Sequence, residues 1–509
     1  MNLHHPALLL IASVLLLFTA GCTAAPDEQT GPVTPALSAA DEVYARGEAA
    51  YAAAYYRTAE EHFAEARALY AEVGDTESAR QARGAMNRAN KTVLEYPFNA
   101  SAAEAALRES VPGITDEEVR DWLEHRAQRI VSDNETLYFY DAAKNYLYAH
   151  PAEMQRVIGP TLDFDFIARY AFSEDRPAGE GPYVNPIHYA GTETLEIPQE
   201  LLPATGMIRI WYPLPVETES QRNITVANLS YTDAIVRGPV TTGPIGYVYY
   251  EIPAETITGD LTVTADIAFT SYAQIFEIDP AQVGEYDTTD PEYLLYTASE
   301  RNIEITDAVR AKAREIVGNE TNPHLQAEMI YASIIETYPY SHVPHFSLDA
   351  REPKVAESTY MFETGHGDCG TQSMLFSAFC RSLGIPARAI GGYQMLLDDA
   401  PGAHFWAQYY LPDYGWVPVD PTVADAADWV PISDGKRSIF KDYYAANLDP
   451  TRLVIQKNVD APLDPPLPDG PPLFRIVRQY PAIFADMAEA DLNLAAMEGF
   501  SISLRAIEP

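Results

Sequence analysis

A chain of 509 residues, 47% apolar and 11% aromatic, is long enough for three or more domains and too hydrophobic to be a disordered polymer. Its 34 basic against 73 acidic residues give a formal net charge of −39, a surface that repels nucleic acid and anionic headgroups and argues against duplex binding. Three cysteines, Cys22, Cys369 and Cys380, are too few for a disulfide framework.

Pro6 to Phe18 is an apolar run of about 13 residues, short for a bilayer span and right for a signal h-region. It ends in Phe18-Thr19-Ala20-Gly21-Cys22, where small residues before a cysteine resemble a lipoprotein processing site. Residues 1–22 are therefore read as signal peptide and lipobox, with Cys22 as the lipidated new N-terminus. Thr19 stands where that motif usually has Leu, and Met1 to His5 carry no Lys or Arg. Ordinary signal cleavage and an uncleaved anchor are the alternatives. Residues 23–39 read as a linker. The expected location is extracytoplasmic, membrane-anchored at the cell surface.

From residue 40 to 95 the period is helical, with Tyr44, Ala50, Ala54, Ala59, Phe63, Ala66 and Tyr70 recurring at three- and four-residue spacing. Gly47, Tyr56, Ala59, Phe63 and Ala66 resemble one tetratricopeptide unit, which would make this segment a helical hairpin able to hold a protein partner. An Ala-rich hairpin packed on the next domain explains the same residues. Residues 96–185 continue helical: Thr115-Asp116-Glu117-Glu118 is a helix start, and Asp141 to Tyr148 is a further helix.

Near residue 193 the period changes. Met207–Tyr212, Ile224–Leu229, Tyr247–Ile252 and Leu261–Phe269 alternate and are separated by Gly, Pro, Thr and Asn, which predicts an antiparallel β-sandwich over residues 186–285. Tyr247, Tyr249 and Tyr250 would either pack the sheet or hold a partner or polymer. Helices are expected over Thr306–Val317 and His324–Glu336. Residues 451–509 read as a Pro-rich C-terminal extension with a strand at Phe474–Val477 and a short helix near Pro481–Glu489.

The chemistry concentrates between Phe362 and Thr422. Met374, Leu375, Ala378, Phe379 and Leu383 form one helical face, Gly384 suits the position after a helix end, and Pro386 prevents continuation. Cys369 thus opens a helix, where unpaired N–H groups and the helix dipole favour thiolate; its own N–H could stabilise an oxyanion. Cys380 reads as core. Ala387–Met395 is a strand, followed by the antiparallel pair Ala403–Leu411 and Trp416–Val419. His404 and Asp420 then fall at the same end of that ladder, within reach of an imidazole–carboxylate hydrogen bond. Trp406 would shield it.

Gly-Asp-Cys369-Gly, Gly384-Ile-Pro-Ala-Arg388, Gly-Gly-Tyr393, His404-Phe-Trp406 and Gly415-Trp416-Val-Pro-Val-Asp420-Pro-Thr together resemble the transglutaminase-like superfamily core. The resemblance implies a catalytic core over residues 295–450, related to the papain-like cysteine proteases, with Cys369, His404 and Asp420 matching the family's catalytic positions. The expected fold class is α+β multidomain: an N-terminal α-helical region, an antiparallel β-sandwich, then a transglutaminase-like α+β core of the papain-like type.

The implied function is cysteine-dependent acyl transfer on amide bonds of a protein or peptide substrate through a thioester, as peptidase, amidase or protein-glutamine transglutaminase. Hydrolysis is favoured, because no segment resembles the calcium sites of animal crosslinking enzymes; no cofactor or metal is expected. The alternative is a surface-anchored peptide- or glycan-binding module whose core is catalytically silent. A zinc site built from His342-x-x-His345 or His366-x-x-Cys369 competes for the same residues. Tyr338, Tyr340 and Tyr360 are candidates for an oxyanion partner.

Overall fold

The computed structural model of the protein describes residues 35–173, 181–350, 355–397, 400–467, 479–488 and 491–507. The expected signal run, Cys22, most of the linker and the expected strand Phe474–Val477 lie outside them. Among the described residues, no helix is long and apolar enough to cross a membrane.

The first part is helical. α1 (Pro35–Ala52) packs on α2 (Tyr56–Glu72), and α2 packs on α3 (Thr76–Glu95). Ala59, Phe63, Ala66 and Tyr70 are the buried positions of α2, so the stripe legible in the sequence is its packing face. Gly47 permits the closest approach: a Cβ there would lie 2.6 Å from the Phe63 ring. The segment read as a hairpin is therefore three helices, the third capped by Asp75 accepting from the Ser78 N–H at 3.0 Å.

α4 (Ala100–Ser110), α5 (Asp116–Asp121), α6 (Ala142–Ala149), α7 (Pro151–Ile158) and α8 (Leu162–Ala171) follow, and Thr115 with Glu118 forms a capping box at α5. Between α5 and α6 the chain is not helical. β1 (Arg129–Ser132) and β2 (Glu135–Tyr138) make a hairpin whose turn residues, Asp133 and Asn134, have φ of 51° and 63°. Asp and Asn tolerate that left-handed region better than most residues, and this turn chemistry outweighs the helical pattern around it.

Six strands come next: β3 (Tyr183–Ile197), β4 (Met207–Pro213), β5 (Gln221–Ala227), β6 (Ile235–Val240), β7 (Tyr247–Pro253) and β8 (Leu261–Ile275). Then come α9 (Pro291–Thr297), α10 (Asp307–Val317), α11 (Pro323–Thr337), α12 (His345–Ala350), α13 (Glu357–Thr364), α14 (Cys369–Ser382), β9 (Ala387–Gln394), β10 (Gly402–Leu411) and β11 (Gly415–Val419). The chain closes with α15 (Pro421–Trp429), α16 (Asp434–Tyr443), β12 (Asn447–Leu448), β13 (Arg452–Gln456), β14 (Ala482–Ala485), α17 (Leu492–Gly499) and β15 (Phe500–Ile507).

Among the described residues, besides the β1–β2 hairpin, there are three sheets: β12-β8-β3-β15 with β5 added on β8, β14-β4-β7-β6, and β11-β10-β9-β13. The C-terminal stretch corrects the reading of 451–509 as an extension. β15 pairs with β3 from Phe500↔Leu195 to Ile507↔His188, and β14 pairs with β4, so the chain end completes both upstream sheets. The helix expected near Pro481–Glu489 is this strand β14. Its four buried residues seal the open edge of β4, which a free helix would leave with unpaired backbone groups. Tyr249 and Tyr250 are buried between strands, and Tyr247 is half-buried.

The catalytic-core candidate is centred on α14, which α10, α11 and α13 cover on one side and β9 and β10 on the other. Asp368 starts this helix by accepting from the Thr371 N–H at 3.0 Å, and Gly384, with φ of 84°, ends it. β13 joins the core to the upstream sheets. One edge pairs with β9. Along the other, Val454 O accepts from the Val216 N–H at 3.0 Å and Ile455 O from the Gly246 N–H at 2.9 Å. The buried Gln221 side chain acts as a substitute strand, donating to Val454 O and accepting from Val454 N–H, each at 2.8 Å.

The Gly391-Gly392 pair of β9 is what admits β13. A Cβ on Gly392 would lie 1.8 Å from Leu453 O, and one on Gly391 would lie 2.2 Å from Gln456 Nε2. Gly392→Ala should destabilise the fold by about 1–3 kcal/mol, the usual range for forced overpacking. Chemical denaturation measures this; a variant as stable as wild type would show that β13 does not approach so closely.

Candidate active site

Cys369 is the first residue of α14 and is partly buried. Burial pushes that thiol above its ordinary pKa. The carboxylates of Asp368 and Asp420 push the same way, while backbone hydrogen bonds from Phe405 and Gly370 pull against them. The pull toward thiolate expected of the helix N-terminus is therefore opposed by the surroundings of the sulfur. Desolvation and two nearby carboxylates outweigh the dipole, and a thiolate here needs a proton acceptor that becomes a cation beside it.

The acceptor candidate is one residue from the Phe405 amide that reaches the sulfur. His404, on β10, is buried, and its Nε2 lies 2.8 Å from Asp420 Oδ2. That bond leaves Nδ1 as the ring nitrogen for other work. Trp406 stacks beside the imidazole, with ring centroids 6.1 Å apart, and is itself buried as expected of a shield. Asp420 is fully buried between β11 and α15, and its Oδ1 caps α15 by accepting from the Val423 N–H at 3.0 Å. Desolvation works against its charge, but His404 and Arg452 hold it below the usual carboxylate range.

Arg452 was not legible as part of the site. From β13 its Nη1 donates to Asp420 Oδ2 at 2.7 Å and its Nη2 to Asp449 Oδ2 at 2.8 Å, and its guanidinium lies 5.3 Å from the centre of the Trp406 ring. All three ionised groups are fully or nearly fully buried. Gln479 was also missed. Its side-chain N–H₂ donates to His404 O at 2.8 Å and to Gly392 O at 2.6 Å, so the C-terminal segment holds the backbone of the histidine itself. A lone Arg 32 residues past Asp420, or a Gln beyond a proline run, carries no motif that could have flagged either.

The loop before α12 is fixed by the helical region. Asp141 Oδ2 lies 2.5 Å from His342 Nδ1, and Asn145 accepts from the His342 N–H at 2.7 Å while donating to its carbonyl at 3.0 Å. Glu95 accepts from the N–H groups of Phe346 and Ser347 at 2.8 and 2.7 Å. These contacts separate the histidines of the expected zinc spacings. His342 faces Asp141, and His366 pairs through Nδ1 with Ser341 Oγ at 2.7 Å. The ligand-type cluster among the described residues is instead His345, Glu357 and Asp368. There each imidazole nitrogen meets a different carboxylate, Nδ1 at 3.3 Å from Glu357 and Nε2 at 2.6 Å from Asp368, an arrangement of acid–base pairs.

Of the tyrosines named for the oxyanion, Tyr338 packs in the core against Phe379, and Tyr360 is buried with Val343 and Leu348. Tyr340 lies at the site: its backbone bridges to Gly367, and burial followed by the charge of Cys369 pushes its phenol well up.

Residues 310–421 match the family model of the transglutaminase-like superfamily. The chain contains a transglutaminase-like domain. Relatives include the protein-glutamine gamma-glutamyltransferase of Pseudomonas aeruginosa, 28% identical over 134 residues that cover 24% of this chain and 20% of that one. An uncharacterised protein, YebA, of Bacillus subtilis is 22% identical over 189 residues, covering 33% of this chain and 25% of the other. An uncharacterised protein of Haemophilus influenzae is 26% identical over 157 residues, covering 27% and 41%. The chain thus spans well under half the length of these relatives. Among solved structures, a candidate cysteine protease from Cytophaga hutchinsonii aligns with a TM-score of 0.39 at 15% identity, covering 64% of this chain and 92% of that one. The periplasmic domain of TgpA from Pseudomonas aeruginosa aligns with a TM-score of 0.25 at 15% identity, covering 49% and 96%.

The transglutaminase-like domain passes directly into α15, which carries a second buried acid. Asp425 Oδ2 accepts from Gln372 Nε2 of α14 at 2.8 Å, and Gln372 Oε1 in turn accepts from Thr422 Oγ1. Burial pushes Asp425 up to about 8. A raised folded-state pKa means that the stabilisation is complete below the ordinary value of 3.8 and is lost as pH rises through about 8. Asp425→Asn keeps the acceptor and removes the charge. It should unfold near the wild-type temperature at about pH 5 and several degrees above it at about pH 8.5. An equal loss of thermal stability at both values would show that Asp425 is ionised in the fold.

Proposed function

We propose that this protein is a cysteine-dependent acyl-transfer enzyme acting on amide bonds of a protein or peptide, with Cys369 as nucleophile, His404 as base and Asp420 as the group that orients it. The observation that carries this reading is the buried His404–Asp420 hydrogen bond of 2.8 Å, made beside a thiol whose own environment resists ionisation. A pair of this kind is costly to bury, and its net stabilising contribution is small; its chemical use is to take a proton from sulfur. The transglutaminase-like domain and the activity for which the Pseudomonas aeruginosa relative is named support the same class.

In the proposed cycle the Cys369 sulfur attacks the amide carbonyl carbon while its proton passes to His404 Nδ1. Asp420 holds the opposite nitrogen and stabilises the imidazolium. The tetrahedral oxyanion is met by the Cys369 N–H and by the Tyr340 phenol, which burial keeps protonated and so able to donate. As the C–N bond breaks, His404 returns the proton to the leaving amine, which leaves a thioester on Cys369. Water completes hydrolysis by giving a proton to His404 and its hydroxyl to the acyl carbon; the C–S bond then breaks, and the Cys369 sulfur leaves and takes the proton back from His404. A primary amine in its place gives a new amide. We favour water, and the activity of the Pseudomonas aeruginosa relative keeps the amine outcome in view.

The same proposal places the protein outside the cytoplasm, tethered through Cys22, with the helices up to residue 95 available to a protein partner in the manner of a tetratricopeptide unit. A catalytically silent binding module would have no use for the Arg452-clamped His404–Asp420 pair, and we set that alternative second.

Cys369→Ala should abolish turnover of amide peptides, measured as release of amine with and without an added primary amine. In His404→Ala the pushed-up thiol loses its proton acceptor, so the pH midpoint of iodoacetamide labelling at Cys369 should move to alkaline values. Labelling at neutral pH should fall by about 100-fold or more. An unmoved labelling profile would remove His404 from the proposed role.

A further inference from the structure

A cavity of about 570 Å³ lies against the β4–β7 sheet, within the range that holds a small ligand or a large side chain. Its walls combine Trp211 and Tyr247 from the β4–β7 sheet, Pro244 and Ile245 from the turn before β7, Leu463 from the segment after β13, and Tyr480. Two of the aromatic polar tips are already engaged: Trp211 Nε1 donates to Pro465 O at 3.0 Å and Tyr247 Oη donates to Asp464 at 3.1 Å. Asp464, the charged residue of the lining, is paired with Arg237. What remains for a guest is apolar ring and proline surface with no unmatched charge.

Two chains of hydrogen bonds link the walls of this cavity to His404 and Asp420. Tyr480 directly follows Gln479, whose side chain holds the carbonyls of His404 and Gly392. Ile245 and Gly246 bond to Gln456 and Ile455 of β13, the strand whose Arg452 holds Asp420. The Tyr480 phenol is pushed up by burial and then by the charge of Cys369, which places its hydroxyl within electrostatic reach of the sulfur.

We propose that this cavity is the substrate-side specificity pocket of the acyl-transfer site, taking an apolar or aromatic side chain of an extended peptide. The inference rests on the acyl-transfer reading and adds to it which peptides are attacked. A neutral apolar lining also explains how a chain of net charge −39 would select substrate without electrostatic attraction.

The test uses the full chain with iodoacetamide and a series of peptidyl acyloxymethyl ketones that differ in one side chain (Phe, Leu, Gly or Asp), following the rate of adduct formation at Cys369 by mass spectrometry. The ratio of peptidyl to iodoacetamide rate should be at least about tenfold higher for Phe and Leu than for Gly and Asp. Thr242→Trp, which fills the mouth from an exposed position, should lower the Phe and Leu ratios about tenfold. Tyr480→Ala, which enlarges the cavity at one wall, should shift preference toward larger side chains. Equal ratios for all four probes, or ratios that neither variant alters, would overturn the pocket while leaving Cys369 chemistry standing. Failure of every reagent, iodoacetamide included, to modify Cys369 would overturn the acyl-transfer reading beneath it.

Discussion

One buried guanidinium ties this molecule together. Arg452 meets Asp420 and Asp449 with separate nitrogens, at 2.7 and 2.8 Å, and all three groups are withdrawn from water. Burying such charges is expensive and stabilises only when every member is matched. Tyr444 donates to Asp449 at 2.9 Å, Val423 N–H donates to Asp420, and the Trp406 face covers the guanidinium, so the cluster is largely satisfied. Its product is directional: Asp420 stays a carboxylate and presents Oδ2 to His404.

The strand that carries Arg452 explains why the upstream sheets matter to the site. β13 pairs with β9 through two glycines on one side and is bonded on the other by Gln221, Val216 and Gly246. A disturbance in the β4–β7 region therefore reaches Asp420 through one strand. The chain end adds a second tie, because β14 and β15 complete the upstream sheets while Gln479 holds the backbone of His404. Elsewhere, Asp141 and Asn145 fix the loop that precedes α12, and Glu95 holds the first turn of α12 itself. The parts that looked like separate modules in the sequence all meet the transglutaminase-like domain.

Local chemistry made much of this legible. Helix α14, the α5 capping box and strands β9 to β11 follow from periodicity and from residues such as Gly384 and Thr115, whose effect is confined to a few neighbours. The ladder geometry that put His404 near Asp420 needed only strand spacing. What escaped was long-range: β14 and β15 are short or ordinary runs whose strand character comes from a waiting sheet edge. The hairpin at Asp133-Asn134 was available from turn chemistry and was hidden by helical surroundings. The pull of the helix dipole on Cys369 can be read from sequence, whereas the desolvation that opposes it cannot.

The central claim is that an amide carbonyl becomes bonded to Cys369 under control of the His404–Asp420 pair. Its most direct test is rapid acid quenching of the full-length protein during turnover of an amide peptide, followed by intact-mass measurement and peptide mapping. The account predicts an acyl adduct on Cys369, released by hydroxylamine as a thioester is, with the amine product appearing in step with it. Turnover with no adduct on Cys369, or an adduct confined to another residue, would contradict it.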